Sequence, residues 1–169
     1  CIVKRDEILE VVSKMFPDAQ KTAVILAHSL DPSGDSTSDI VTLNLTSGAE
    51  IHIEKFNAYN FCRNIKNYTH THITPDHGKA IRLTKSFKNI NLNGIWITCG
   101  SETVEWDLII DFVKKGCIFM VNWGMTEIGP CAINTVFENL EKVMEYKKRA
   151  LYGTLIGDKT YCDTKIQND

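Results

Sequence analysis

The chain has 169 residues, of which 43% are hydrophobic and 24% charged, values that suit one globular domain with a sizeable core. Its formal net charge of −2 gives no bulk attraction to nucleic acid or to an anionic membrane. The longest apolar runs fall short of the roughly 20 residues that a membrane-spanning helix needs, and the chain does not open with a secretory signal pattern. We therefore expect a cytoplasmic protein with no nucleic-acid partner and no membrane span.

Six cysteines are scattered along the chain without a Cys-x-x-Cys pair. Most of them sit in or beside apolar runs. We therefore expect buried free thiols in a reducing compartment and no disulfide framework.

Helical and strand patterns alternate along the chain. Helices are assigned where apolar residues recur near the 3.6-residue period, and strands where short apolar or alternating runs lie between turn residues. In chain order the sequence predicts helix 6–16, strand 22–27, helix 40–45, strand 49–54, helix 58–65, strand 69–74, helix 76–87, strand 95–98, helix 104–113, strand 116–121, strand 131–136 and helix 137–149. Helix 76–87 is expected to turn Ala80, Ile81, Leu83 and Phe87 inward.

This alternation, with helices of about a dozen residues and short loops, predicts an α/β fold with a mostly parallel sheet. We interpret the chain as a single partial domain, with a core over 6–136, a helix or linker over 137–152 and a trailing strand segment over 153–169. Because it opens on Cys1 rather than Met, we expect it to be a piece of a longer polypeptide.

Three of the predicted strands end in polar loops, at 28–37, 99–102 and 122–127. Parallel strands bring such loops to one edge of the sheet, where open α/β sheets bind ligands. The loops supply polar side chains, one flat aromatic ring and glycines whose backbone a ligand can approach closely. These residues are His28, Asp35, Gly100, Ser101, Glu102, Trp123, Gly124, Thr126 and Glu127. Two interpretations stay open from the pattern alone: a pocket for a nucleotide and an acid, or the polar rim of an ordinary α/β domain.

Three histidines close in sequence, His70, His72 and His77, raise the question of a metal site. His70 and His72 lie two apart on a predicted strand and so face one side of it. No carboxylate or cysteine sits at ligand spacing from them, which favours a packing role or a place at a pocket edge for His72.

The common nucleophile and phosphate-loop patterns are weak or missing. A triad of Ser29 or Ser101 with His28 and Asp35 lacks the Gly-x-Ser-x-Gly elbow. Cys99 has no basic neighbour in sequence to lower its pKa. The sequence contains neither Gly-x-x-x-x-Gly-Lys nor Gly-x-Gly-x-x-Gly.

Five segments, in order, carry a family resemblance. Trp123-Gly124-Met125-Thr126-Glu127 matches an aromatic-Gly-x-Thr-Glu motif, and Gly100-Ser101-Glu102 resembles a Gly-Gly-Glu turn. Segments 45–53, 68–75 and 156–166 resemble the family's other conserved strands and turns. The chain thus resembles the central part of the large N-terminal domain of the adenylate-forming, or AMP-binding, superfamily, which includes acyl-CoA synthetases, peptide-synthetase adenylation domains and luciferases.

The resemblance implies an ATP-dependent ligase that converts a fatty, aryl or amino acid to acyl-AMP and pyrophosphate. The acyl group would then pass to CoA or to the phosphopantetheine of a carrier protein. By the family pattern Trp123 would stack on adenine, Thr126 would contact phosphate and Glu127 would bind Mg²⁺, so Thr126 and Glu127 form the catalytic pair. The remaining implied nucleotide-binding residues are Gly100, Ser101, Glu102, Gly124 and Met125, and the implied substrate pocket holds His28, Asp35 and Gly124.

Several positions depart from the family pattern. Val121 stands where the family often has Asn, with Asn122 one residue later, and Ser101 replaces the second Gly of the turn. The phosphate loop and the catalytic lysine of the family do not occur in the chain, so we expect this piece alone to be inactive. The alternative is a catalytically dead remnant that binds a nucleotide or a partner.

The choice of acid depends on Asp35, which lies thirteen residues before Gly48. Amino-acid-activating relatives place an Asp at this spacing to bind the substrate ammonium. The alternative is an ordinary turn Asp beside Gly34.

Overall fold

The computed structural model describes residues 24–29, 50–125, 129–150 and 159–160, with side chains described over 50–124 and 132–150. The helices predicted at 6–16 and 40–45 lie outside these residues, as do most of the loop at 28–37, the Thr126–Glu127 pair and most of the 153–169 segment.

The described strands form one seven-stranded sheet with the order β2-β1-β3-β4-β5-β6-β7. Its members are β1 (Val24–Ser29), β2 (Glu50–Lys55), β3 (His70–Ile73), β4 (Trp96–Cys99), β5 (Ile118–Met125), β6 (Gly129–Phe137) and β7 (Lys159–Thr160). The first five are joined by parallel pairings, and β6 and β7 add to the β5 side in antiparallel fashion. The predicted α/β class with a mostly parallel sheet is therefore confirmed.

Four α-helices connect or follow these strands: α1 (Ala58–Asn64), α2 (Pro75–Arg82), α3 (Trp106–Val113) and α4 (Leu140–Arg149). Each of α1, α2 and α4 begins at a polar residue whose side chain accepts hydrogen bonds from the first turn: Asn57, Thr74 and Asn139. Such N-caps satisfy amide groups that have no partner within the helix. The helix starts are thus set locally by sequence.

The hydrophobic core lies between one face of the sheet and the row of helices. The strands contribute to this core the apolar side chains that face the helices, namely Ile73, Ile97, Cys99, Phe119, Val121 and Phe137. The helices contribute Phe61, Ile81, Leu108, Phe112 and Val143. Because side chains alternate across a strand, the next residues in β3, β4 and β5 face the opposite side. That opposite side carries His70, His72, Thr98, Met120 and Asn122.

The helix predicted over 76–87 is wrong in its second half. Helix α2 ends at Arg82, and a separate 3₁₀ turn covers Lys85–Asn89. Thr84 ends the first element and begins the second, since its hydroxyl donates to the Ile81 carbonyl at 2.8 Å and accepts from the Phe87 amide at 3.3 Å. Leu83, predicted to face inward, is 88% exposed at this break.

Two strands continue further than the sequence pattern predicted. Strand β1 includes His28 and Ser29, which pair with Glu54 and Lys55 of β2, so His28 is a strand residue and not a loop residue. Strand β5 runs on through Trp123, Gly124 and Met125. Its pairing with β6 supplies the backbone hydrogen bonds that keep these polar and small residues extended.

Candidate functional site

The carboxyl ends of β1, β3, β4 and β5 lie side by side at one edge of the sheet, because these four neighbouring strands are parallel. The predicted common edge for the three polar segments is therefore confirmed at the level of the strands. Strand β3 lies between β1 and β4, so its end at Ile73 and Thr74 joins the same edge.

Gly100 follows β4 and presses against Asn122 of β5. A Cβ atom placed on Gly100 would lie 2.7 Å from the backbone carbonyl oxygen of Asn122 and 2.8 Å from its Cγ atom. These distances are shorter than any that packed side chains tolerate without a shift of the neighbouring atoms. The position after β4 thus requires glycine, and the close approach brings the turn at 100–102 directly beside β5.

Ser101 and Glu102 form the exposed part of that turn. Ser101 has a φ of +79°, in the left-handed region that favours glycine. A glycine would adopt this conformation without strain, so Ser101 adds a hydroxymethyl group at a position whose backbone suits glycine.

Trp123 presents an aromatic surface next to this turn. The pairing of Cys99 with Val121 places Gly100 and Asn122 at the same level of the sheet, and Trp123 follows at once. Its side chain is 42% exposed, which is unusual for a tryptophan in a strand beside a well-packed core. The register between β5 and β6 shifts between Trp123 and Met125, so the regular pairing is interrupted at Gly124.

His72 and His77 lie at the β3 end of the edge. The His77 amide donates to Thr74 Oγ1 at 3.2 Å, and the Thr74 amide donates to His77 Nδ1 at 3.5 Å, so His77 completes a capping box on α2. The His77 ring stacks on Phe56 with centroids 3.8 Å apart. Desolvation lowers the pKa of His77. Its Nδ1 is an acceptor in this arrangement, which requires the neutral ring.

His70 and His72 face the same side of β3, as their spacing predicts. Desolvation lowers the pKa of both rings to about 4, and repulsion from a protonated His77 would also lower the pKa of His72. Both rings are therefore neutral at pH 7. Among the described residues no three side chains of the metal-ligand type come together.

The described cysteines are free thiols, as predicted: Cys62 is half-buried, and Cys99 and Cys117 are buried. Burial raises the pKa of Cys99 and of Cys117 to about 12. A thiol with so high a pKa is a poor nucleophile at neutral pH. Cys99 thus contributes to the core and not to reaction chemistry.

The structure brings together only part of the predicted site. Gly100, Ser101, Glu102, Trp123 and Gly124 share one edge. Met125 and His28 are placed by their backbone in β5 and β1. Asp35, Thr126 and Glu127 lie outside the described residues.

A membrane-spanning helix needs length and apolar character together, and no helix within the described part has both.

Sequence reasoning missed two contacts at this edge. It noted Asn122 only as a displaced family residue, although its side chain faces away from the helices and packs on Gly100. It also missed the stack of Phe56 on His77. The alternation of β5 could have indicated the first contact, because Val121 and Asn122 must face opposite sides.

No family model matches the sequence, and no curated protein sequence matches it. Solved structures do match by fold. They include the amide bond synthetase McbA from Marinactinospora thermotolerans, with 15% identity, a TM-score of 0.60 and 73% of this chain covered. The N-terminal domain of FACL13 from Mycobacterium tuberculosis has 13% identity, a TM-score of 0.59 and 82% of this chain covered.

A third structure, the Klebsiella oxytoca NpsA N-terminal subdomain in complex with 3-hydroxybenzoyl-AMSN, has 13% identity and a TM-score of 0.60 over 79% of this chain. The chain covers 26% of McbA, 36% of the FACL13 domain and 35% of the NpsA subdomain, so it spans about a quarter to a third of each. The described sheet and helices therefore have the fold of the N-terminal domain of the adenylate-forming enzymes, of which this chain spans a part.

Proposed function

We propose that the chain is part of a cytoplasmic, ATP-dependent ligase that activates a carboxylic acid as its acyl-AMP, releases pyrophosphate and then forms a thioester. The observation that carries the proposal is the juxtaposition of turn 100–102 with the exposed Trp123 at the carboxyl edge of a sheet with this fold. The thiol would come from CoA or from a carrier protein, and the acid would be fatty, aryl or amino.

The described residues suit an adenine base. Trp123 offers a flat, 42% exposed ring, and base stacking on aromatic side chains stabilises binding by about 1–3 kcal/mol. Turn 100–102 supplies backbone groups and an exposed carboxylate at the same edge of the sheet. The neighbouring Gly124 lets a ligand approach the β5 backbone closely.

The remaining roles follow the family pattern. Thr126 would donate its hydroxyl to a phosphate oxygen, and Glu127 would bind Mg²⁺ through its carboxylate, a hard oxygen ligand. The metal would neutralise charge that develops at phosphorus. Both residues follow Met125, the last residue of β5, directly in sequence. His28, Asp35 and Gly124 remain the proposed substrate-pocket residues.

Isothermal titration of ATP into the longest available form of the protein tests the nucleotide site. Trp123→Ala should weaken ATP affinity roughly 5- to 100-fold, the equivalent of losing one stacked base. Trp106→Phe is the matched control, because Trp106 packs edge-on against Phe137 with centroids 5.9 Å apart and should leave affinity unchanged. Equal ATP affinity in wild type and Trp123→Ala would remove Trp123 from the site, and no ATP binding by wild type would overturn the nucleotide proposal.

A further inference from the structure

Direct contact with the Asn122 side chain supports the turn after β4. The space that a Cβ atom on Gly100 would occupy lies 2.8 Å from Asn122 Cγ, and Oδ1 of the same amide is nearer still. The amide group of Asn122 thus lies against the backbone of Gly100.

The strand that carries Asn122 is paired on both sides, with β4 and with β6. Asn122 pairs across the β5–β6 hairpin with Asn134, which is fully buried, and it directly precedes Trp123. Its Oδ1 atom is also buried. A side chain fixed in this way can transmit the position of β5 to whatever it contacts.

Turn 100–102, which Asn122 contacts, has a backbone conformation that its own residues do not favour. Ser101 has a φ of +79°, a conformation that costs a non-glycine residue about 1–2 kcal/mol. Residues 101–103 are exposed and so bury little surface that would offset this cost. The left-handed turn needs support from a neighbouring element.

We propose that Asn122 is a positioning residue. Its contact with Gly100 sets the spacing between turn 100–102 and Trp123, the two walls of the proposed adenine site. The consequence for nucleotide binding rests on the proposed function, whereas the support of the turn does not.

NMR relaxation of the backbone amides in Asn122→Ala tests the support directly. The order parameters of residues 101–103 should fall from wild-type values to below about 0.6, the range of a flexible backbone, while those of β4 stay near the rigid value of about 0.85. Asn93→Ala is the matched control, since Asn93 packs its amide over Gly116 at the opposite end of the strands. The control should leave the order parameters of 101–103 unchanged.

Asn122→Ser serves if the alanine variant does not fold, because it keeps a polar side chain but lacks the amide that touches Gly100. Unchanged order parameters at 101–103, or a decrease spread equally over β4, would overturn the proposal.

ATP titration of the same variants tests whether Asn122 affects nucleotide binding and not only the conformation of the turn. Asn122→Ala should weaken ATP affinity about tenfold, with affinity retained in Asn93→Ala. If wild type binds no ATP but the order parameters of residues 101–103 fall in Asn122→Ala, the proposed function fails and the positioning contact stands. Unchanged ATP affinity in Asn122→Ala, with binding by wild type, would overturn the proposed consequence for the nucleotide.

Discussion

Ser101 holds a backbone conformation that favours glycine, with a φ of +79°. Ser101→Gly should therefore raise the free energy of unfolding by about 0.5–1 kcal/mol, the strain relieved less the extra entropy of glycine in the unfolded chain. Urea denaturation measures the change, with Ser101→Ala as the control because alanine keeps the strain. A glycine variant no more stable than the alanine variant would show that the turn has another conformation.

Gly100 is needed for a different reason. Its backbone conformation would accept any residue, but Asn122 occupies the space that a side chain would need. Gly100→Ala should lower the free energy of unfolding by about 1–3 kcal/mol, because the new methyl group meets the Asn122 carbonyl oxygen at 2.7 Å. Gly94→Ala is the control: Gly94 has a φ of +79° and nothing within 4 Å of the added Cβ, so it should cost only about 1 kcal/mol. Urea unfolding of both variants compares them, and an equal or larger loss at Gly94 would contradict the close approach of β4 to β5.

At the scale of elements, strand β3 carries two histidines on the side of the sheet away from the helices. The pKa of His72 is about 4 in the folded chain, against about 6.5 when unfolded. Below pH 6.5 the unfolded chain binds this proton and the folded chain does not, so stability is complete above pH 6.5 and falls as the pH approaches 4.

His72→Gln should remove part of that loss, on the order of 2–3 kcal/mol between pH 7 and pH 4. Urea denaturation at several pH values measures it. His52→Gln on β2 is the matched control, because the His52 side chain is 42% exposed. A pH dependence that is the same for wild type and His72→Gln would mean that His72 is not buried against the sheet.

How well the sequence predicted each element depended on what fixes its ends. The starts of α1 and α2 depend on the local capping residues Asn57 and Thr74, and each was predicted within one residue. Helix α4 begins at Leu140 and not at the predicted residue 137, because strand β6 continues through Phe137. The break at Thr84 depends on a hydroxyl that bonds in two directions, which the apolar pattern does not reveal. The extension of β5 through Met125 depends on β6, a partner that no pattern inside β5 specifies.

At the scale of the whole molecule, alternation of helix and strand was enough to predict a parallel sheet with a ligand edge. The particular α/β fold was indicated by five sequence motifs that occur in the same order as in the family. The apolar periodicity of the helices and strands did not distinguish it from other α/β folds. The packing of Asn122 on Gly100 and the stack of Phe56 on His77 could not be predicted, because each depends on side chains that meet only once the sheet has formed.

We propose that the edge formed by turn 100–102 and Trp123 belongs to an acid-activating ligase. Pyrophosphate exchange measures its first reaction: label from pyrophosphate enters ATP only when an acid is reversibly converted to acyl-AMP. The assay would use the longest available form of the protein with a panel of fatty, aryl and amino acids. We expect acid-dependent exchange with at least one member of the panel and loss of that exchange in Trp123→Ala. ATP binding without exchange for any acid would contradict the ligase and favour a nucleotide-binding remnant of the fold.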